Sequence, residues 1–281
     1  MDLSDINVLK SILTQYGIKP NKFLGQHFLV DREVLEEILA AAEISPKDLV
    51  LEIGAGLGAL TLEVAKQAKK VIAAEKDGKL AEILKSILKK EKVGNVEIIV
   101  GDILKEIQNK LKIKNYKIVA NLPYYLTNRL IRNFLELDNP PNEMVLMIQK
   151  EVAERICASP PKMSLLAVSV QFYAKPEIIA FVSKKSFWPE PEVDSAIIKI
   201  SNIKNQKLKI FRELFFKIVR AGFSSPRKKL SNNLVKILPK LAREKINDSL
   251  QKIGLRPDCR SQDLSVDNWQ KLVLLLGKNI V

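Results

Sequence analysis

Four consecutive residues, Asn121-Leu122-Pro123-Tyr124, carry the most specific chemistry in this chain. The exocyclic amine of adenine is a weak nucleophile because its lone pair is delocalised into the ring. Accepting a hydrogen bond from each of its two hydrogens favours a pyramidal nitrogen with the lone pair freed. The side-chain oxygen of Asn121 is one such acceptor, and the backbone carbonyl of Leu122 is a natural second. Pro123 stiffens the turn that aims both, and Tyr124 offers a flat face on which a base stacks. A sulfonium is already an activated methyl donor, so displacement by such an amine needs no acid, base or metal. Asn-x-Pro alone is also an ordinary turn. What separates the two readings is whether a cofactor edge accompanies it.

A candidate for that edge lies upstream. Gly54-Ala55-Gly56-Leu57-Gly58-Ala59 follows an apolar run and precedes a helical pattern, where glycines permit a tight turn and let a ligand touch the backbone. The motif reads as the G-x-G-x-x-A of dinucleotide enzymes or as the G-x-G-x-G of methyltransferases, and packing alone can also demand such a turn. Gly54, Glu75, Asp102 and Asn121 each fall at the carboxyl end of a successive predicted strand, the edge at which open α/β sheets bind ligands. Glu75 is placed to accept hydrogen bonds from both hydroxyls of a ribose, which suits NAD as well as S-adenosylmethionine. The carboxylate of Asp102 can accept from the amine of a cofactor's adenine. Singly, each acid is a solvated strand-end charge; together they mark one edge.

The elements that must position these residues alternate. Predicted strands cover Leu49 to Ile53, Val71 to Glu75, Val96 to Val100, Lys117 to Ala120, Glu143 to Ile148, Ile178 to Val182 and Val193 to Ile200. Leu80, Ile83, Leu84, Ile87 and Leu88 recur at helical spacing and predict one buried stripe. Alternation of this kind implies an α/β fold with a largely parallel sheet. The last two strands, joined through the Pro-rich turn at Trp188 to Pro191, are expected as an antiparallel hairpin at one edge. After Ser201 the strand signals stop. Ile210, Leu214, Phe215, Ile218 and Val219 predict one helix and Leu230, Leu234 and Ile237 a second, with further helices over 240–252 and 265–276. The polar stretch Ser201 to Gln206 is the expected linker. The division is therefore 1–200 for an α/β cofactor-binding domain and 201–281 for a small all-α domain.

Charge follows the same division. From Ser201 onward there are 18 Lys and Arg against 6 Asp and Glu, a balance of +12, while the first 200 residues carry 28 against 26, only +2. A Lys-rich composition without function would spread evenly. A neutral body with a basic appendage reads as a scaffold with a polyanion-binding domain, nucleic acid in preference to an anionic membrane. Arg220, Arg227, Lys228 and Lys229 form the cluster expected to meet phosphates. No apolar run approaches the roughly 18–20 residues of a membrane span. The acidic start, Met1-Asp2-Leu3-Ser4-Asp5, resembles neither a secretory signal nor a transit peptide. Cys157 and Cys259 have no partner spacing, so reduced thiols, a cytoplasmic location and no metal site are expected.

These stretches resemble the family of ribosomal RNA adenine dimethyltransferases. The resemblance runs through Leu24-Gly25-Gln26-His27-Phe28-Leu29, the glycine turn, Glu75, Gly101-Asp102, Asn121 to Tyr124, Phe187-Trp188-Pro189-Glu190-Pro191-Glu192-Val193-Asp194-Ser195, and Arg227-Lys228-Lys229-Leu230. It implies a Rossmann-like methyltransferase domain using S-adenosylmethionine and releasing S-adenosylhomocysteine. The substrate it implies is two adjacent adenines near the 3′ end of small-subunit ribosomal RNA, in the small subunit or its precursor, during ribosome biogenesis. A monomer is expected. By the same resemblance His27 and Leu29 close over the methionine end of the cofactor, with Gly54, Gly56, Glu75, Asp102 and Asn121 below. Phe187 is implied as a second stacking face opposite Tyr124, against the alternative of a core aromatic. Family members often carry Asn at position 27, so His27 is expected to position rather than to act as a base. The target adenine would be taken out of its stack.

Three rivals remain at this level. A large-subunit methyltransferase of the antibiotic-resistance type is disfavoured by the full basic helical domain and by the Phe187 to Ser195 stretch. A non-catalytic RNA-binding assembly factor is disfavoured by the intact Asn121 to Tyr124 stretch. An NAD oxidoreductase lacks an obvious hydride-transfer acid.

Overall fold

The structure, a computed structural model, describes residues 1–21, 25–105, 113–204, 209–238 and 242–277. Leu24 of the first resembling stretch, Asn205 and Gln206 of the expected linker, and Lys240 and Leu241 of an expected helix lie outside them. The chain divides into two compact units, one of 1–153 with 175–203 and one of 154–174 with 204–281. The second unit therefore takes in a segment, 154–174, that a division at Ser201 assigns to the first.

In the first unit, α1 (Ile6–Gln15), β1 (Phe28–Leu29) and α2 (Arg32–Ala42) precede the alternating body. That body runs β2 (Leu49–Ile53), α3 (Ala59–Gln67), β3 (Lys70–Glu75), α4 (Gly78–Lys90), β4 (Val96–Val100), β5 (Tyr116–Asn121), α5 (Thr127–Leu135) and β6 (Glu143–Gln149). It finishes with β7 (Lys175–Val182), β8 (Phe187–Trp188) and β9 (Ser195–Ser201). The seven-stranded sheet has the order β4-β3-β2-β5-β6-β9-β7. β2 to β6 pair in parallel, while β9 runs antiparallel between β6 and β7. This is a Rossmann-like sheet with an antiparallel edge hairpin. Chain order reverses between β2 and β5, which creates the crevice at which such sheets bind ligands.

The sequence explains this arrangement locally. Val50, Leu51, Glu52 and Ile53 are all buried, as expected of a central strand covered on both faces. Edge strand β7 instead alternates exposed and half-buried positions, the pattern of a strand with one solvated face. α2 is capped by Asp31, which accepts from the amides of Glu33 and Val34, and α4 by Asp77, which accepts from those of Lys79 and Leu80; such caps satisfy donors that a helix start leaves orphaned. The predicted α4 stripe is buried from Leu80 to Leu88. The final strand begins at Ser195, two residues later than predicted. Val193 stays exposed, and Asp194 turns back to accept the Lys184 amide at 3.0 Å.

α6 (Lys150–Ile156) contains the division between the units. The second unit holds α7 (Leu165–Gln171), α8 (Lys209–Gly222), α9 (Leu230–Leu234), α10 (Arg243–Lys252) and α11 (Val266–Gly277). Phe172 stacks on Phe215 with centroids 4.2 Å apart, and Phe211, Phe216 and Tyr173 complete an aromatic cluster. That cluster ties 154–174 to the later helices, because large rings bury more apolar area than a two-turn helix can cover alone. Trp269 of α11 is fully buried.

Candidate active site

The strand ends converge on one cleft of the first unit, about 1250 Å³ of empty space including its open mouth. Every residue expected to hold the cofactor or to act on the base lines it: His27, Leu29, Gly54, Gly56, Glu75, Asp102, Asn121, Leu122, Pro123, Tyr124 and Phe187. The sheet order makes this possible, because β3, β2 and β5 lie side by side and point their carboxyl ends the same way.

The glycine turn is built from positive backbone angles. Gly54, Gly56 and Gly58 have φ of 76°, 57° and 96°, values that side-chain-bearing residues rarely adopt. At Gly58, which starts α3, an added Cβ would also overlap the Leu84 side chain. Gly56 packs against the Phe28 ring, 3.4 Å from where a Cβ would stand.

Glu75 is 7% exposed. Its Oε2 accepts the Gly56 amide at 2.8 Å and its Oε1 accepts the Asp77 amide at 2.8 Å. The carboxyl is thereby pinned at the strand end with a lone pair on each oxygen still available. Burial raises its pKa above the usual carboxylate value, against the pull of the amides of Asp77 and Gly56. Asp102 accepts the Leu104 amide at 3.0 Å, so it caps the turn after β4 with one oxygen.

Asn121 ends β5. Its Nδ2 donates to the His27 carbonyl at 3.3 Å. A carbonyl can only accept, so this bond fixes the amide's orientation and leaves Oδ1 without a hydrogen-bond partner among the described residues. The His27 ring is fixed as well. Its Nδ1 donates to the Pro189 carbonyl at 2.6 Å, and the ring stacks near Tyr124 with centroids 6.1 Å apart and planes 19° from parallel. Tyr124 shares a 2.9 Å hydrogen bond with the buried Ser195 hydroxyl, and burial raises its pKa. Its ring is therefore anchored as a neutral phenol.

Phe187 has two environments. It is 4% exposed and belongs to a core cluster with Leu29, Leu35 and Ile38, yet it also lines the cleft. β8 pairs with β1 so that Leu29 is opposite Phe187 and Phe28 opposite Trp188. This two-stranded ribbon is what brings the Leu24 to Leu29 and Phe187 to Ser195 stretches together.

Three residues, two lining the cleft and one behind Tyr124, have no role assigned by sequence. Ser195 anchors Tyr124. Gln26 reaches Asp77 at 3.0 Å. Glu52, on β2, lines the cleft at 2% exposure. An acid inside an otherwise apolar strand two residues before the glycine turn was the available signal for Glu52; Ser195 and Gln26 had none beyond their place in resembling stretches.

The four basic residues stand elsewhere, in the second unit. Arg220 is in the last turn of α8, and Arg227, Lys228 and Lys229 occupy the turn before α9. All four are exposed, and none has an acidic partner among the described residues.

A Rossmann-like sheet with a glycine turn after β2, a buried acid pinned at the end of β3 and a fixed Asn121 amide at the end of β5 fits the S-adenosylmethionine-dependent methyltransferases. Fit to that cofactor is shown by the cleft's own groups. It is lined by three carboxyls, Glu52, Glu75 and Asp102, against a single lysine, which suits a ligand with a sulfonium and an ammonium. The chain belongs to the ribosomal RNA adenine dimethylase family, whose profile matches residues 17–278. It is 43% identical over 273 residues to a ribosomal RNA small subunit methyltransferase A of Dehalococcoides mccartyi, covering 96% of this chain and 93% of the relative. Identity to the protein of that name from Alkaliphilus metalliredigens is 39%, covering 94% of each. Among solved structures, a dimethyladenosine transferase from Plasmodium falciparum superposes with a TM-score of 0.79 at 28% identity, covering 91% of this chain and 99% of that one. The 23S rRNA methyltransferase ErmE gives 0.74 at 25%, covering 89% and 99%. The chain is thus an S-adenosylmethionine-dependent ribosomal RNA adenine dimethyltransferase.

Proposed function

We propose that the substrate is small-subunit ribosomal RNA, in the subunit or its precursor, and that two adjacent adenines near its 3′ end are each dimethylated during ribosome biogenesis in the cytoplasm. Relatives named for the small subunit match at about 40% identity over nearly the whole chain, whereas the 23S enzyme matches at 25%. That contrast favours the small-subunit substrate over the antibiotic-resistance type. A non-catalytic assembly role is disfavoured by the preserved geometry at Asn121.

The observation that carries the catalytic reading is the clamp on the Asn121 amide. With Nδ2 held by the His27 carbonyl, Oδ1 is left to accept from the amine of an adenine, and the Leu122 carbonyl accepts from the other hydrogen. Bound S-adenosylmethionine supplies the activated methyl group. Pro123 fixes the direction of both acceptors. Tyr124, held by Ser195, presents its face to the base, with Phe187 as the opposite wall. Glu75 holds the ribose hydroxyls, Asp102 the cofactor's adenine amine, Gly54 and Gly56 the turn beneath, and His27 and Leu29 the side above the methionine portion. The arrangement stabilises by positioning, since the amine proton leaves to water after transfer.

The first unit is the catalytic body, and the second unit, with Arg220, Arg227, Lys228 and Lys229, is the RNA-binding part of a monomer. The test is to incubate the enzyme with small subunits from a strain lacking this modification and to map the product by mass spectrometry. Two neighbouring dimethyladenines near the 3′ end are expected. Methylation of large-subunit RNA instead, or of no adenine, rejects the proposal.

A further inference from the structure

In the sheet order β4-β3-β2-β5-β6-β9-β7, the groups proposed for the cofactor stand at the ends of β2, β3 and β4, to one side of Asn121 on β5. The RNA strand that carries the target base is therefore left the other side, over the ends of β6, β9 and β7. β9 runs antiparallel to both of its neighbours, so β7 runs parallel to β6 and its last residues reach the same edge. Phe181 is the penultimate residue of β7. It pairs with Ala196, while the next residue, Val182, pairs with Ser195, whose hydroxyl anchors Tyr124. Phe181 thus stands one strand over from the anchor of the base platform, on the side away from the cofactor and outside the lining of the cleft.

Phe181 is 57% exposed, more than any other aromatic ring among the described residues. A large ring left in water forgoes the burial that usually holds it in place. The ammonium of Lys150, at the start of α6, stands over the ring 4.9 Å from its centre. Neither Lys150 nor Lys185 has an acidic partner among the described residues. Lys184 between them and Asp194 opposite are engaged instead, Lys184 with Glu190 at 3.2 Å and Asp194 with the Lys184 amide. An exposed ring beside unpaired cations is the composition of surfaces that hold single-stranded nucleic acid, where rings stack on bases and cations meet phosphates.

We propose that Phe181 and Lys150 hold a nucleotide next to the target adenine, the ring stacking on its base and the ammonium meeting its phosphate. Drawing an adenine out of its stack strips the neighbouring base of a partner, and an aromatic ring on the protein replaces that partner whatever the base is. The contact serves binding and register, and Phe181 touches neither the methyl group nor the reacting amine. The inference rests on the placement of the target base at Asn121 and Tyr124 proposed above.

The test uses the full-length enzyme and small subunits from a strain lacking the modification. Phe181→Ala is expected to raise KM for the subunits about tenfold, equivalent to about 1.4 kcal/mol. Its S-adenosylmethionine affinity and urea midpoint are expected to match the wild type, because the ring is exposed and away from the cofactor. Phe181→Tyr keeps a stacking face and is expected to restore the wild-type KM. A naked small-subunit RNA fragment carries 2-aminopurine at each neighbour of the target adenine in turn. At one of these positions the wild type and Phe181→Tyr are expected to quench the fluorescence on binding, and Phe181→Ala to leave it bright. An unchanged KM in Phe181→Ala, a KM that Phe181→Tyr does not restore, or a parallel loss of cofactor affinity would overturn the proposal. A KM effect on whole subunits with no fluorescence difference on the naked fragment also rejects it, and assigns the ring to a protein of the subunit. Failure of the target-base placement is distinguishable: the wild type then methylates no small-subunit adenine, whereas failure at Phe181 leaves wild type and variant equally active.

Discussion

In the empty enzyme, Glu52 makes stability depend on pH in a way that one substitution isolates. The unfolded carboxyl titrates near 4.5, and burial raises the folded value to about 8. Between those values the native state holds a proton that the unfolded chain has lost. Stability therefore falls as pH rises through this window, is flat above it, and is unaffected below about 4.5. At pH 7 the window has been crossed for 2.5 units, and each unit corresponds to about 1.4 kcal/mol, so the penalty is about 3 kcal/mol. Glu52→Gln has no titration and no penalty. It is expected to match the wild type near pH 4 and to be more stable by about 3 kcal/mol at pH 7. Hydrogen exchange of the β2 amides across a urea series reports opening of the sheet around this residue. A difference between variant and wild type that stays constant from pH 4 to pH 7 refutes the reasoning, since it would mean that Glu52 is ionised in the folded state throughout.

Asn121→Ala is expected to abolish methylation while RNA affinity changes less than tenfold, about 1.4 kcal/mol; a filter-binding assay beside a methyl-transfer assay checks the division of labour. Glu75→Ala is expected to weaken S-adenosylmethionine far more than RNA, and calorimetry showing unchanged cofactor affinity removes Glu75 from the site. The triple change Arg227→Ala, Lys228→Ala, Lys229→Ala is expected to flatten the slope of log affinity against log salt by about two units if all three meet phosphate. If the slope for a small-subunit RNA fragment is unchanged, another basic face makes the contact, because exposed charges lost from a helix start barely alter stability. Gly58→Ala combines a φ of 96° with overlap on Leu84 and is expected to cost about 2–4 kcal/mol, read as a lower urea midpoint with the protein otherwise intact.

The sequence by itself determined the strands and the chemistry at their ends. Leu49–Ile53 and Val96–Val100 are read to the residue, because short apolar or β-branched runs bounded by Gly, Asp and Lys have only one local solution. Gly54, Glu75, Asp102 and Asn121 were legible as one edge because parallel strands align their carboxyl ends. What only tertiary structure decided came from contacts far apart in the chain. The segment 154–174 joins the second unit because Phe172 and Tyr173 pack on Phe211, Phe215 and Phe216, a choice no local pattern encodes. Phe187 is fixed by the ribbon it forms with Leu29, which makes it a core ring and a cleft wall at once. The amide of Asn121 is oriented by a carbonyl 94 residues away. Glu52 reads locally as one charge in a strand; its proton is held because β3, β5 and α3 close around it, and burial is a property of the assembled layers rather than of the strand.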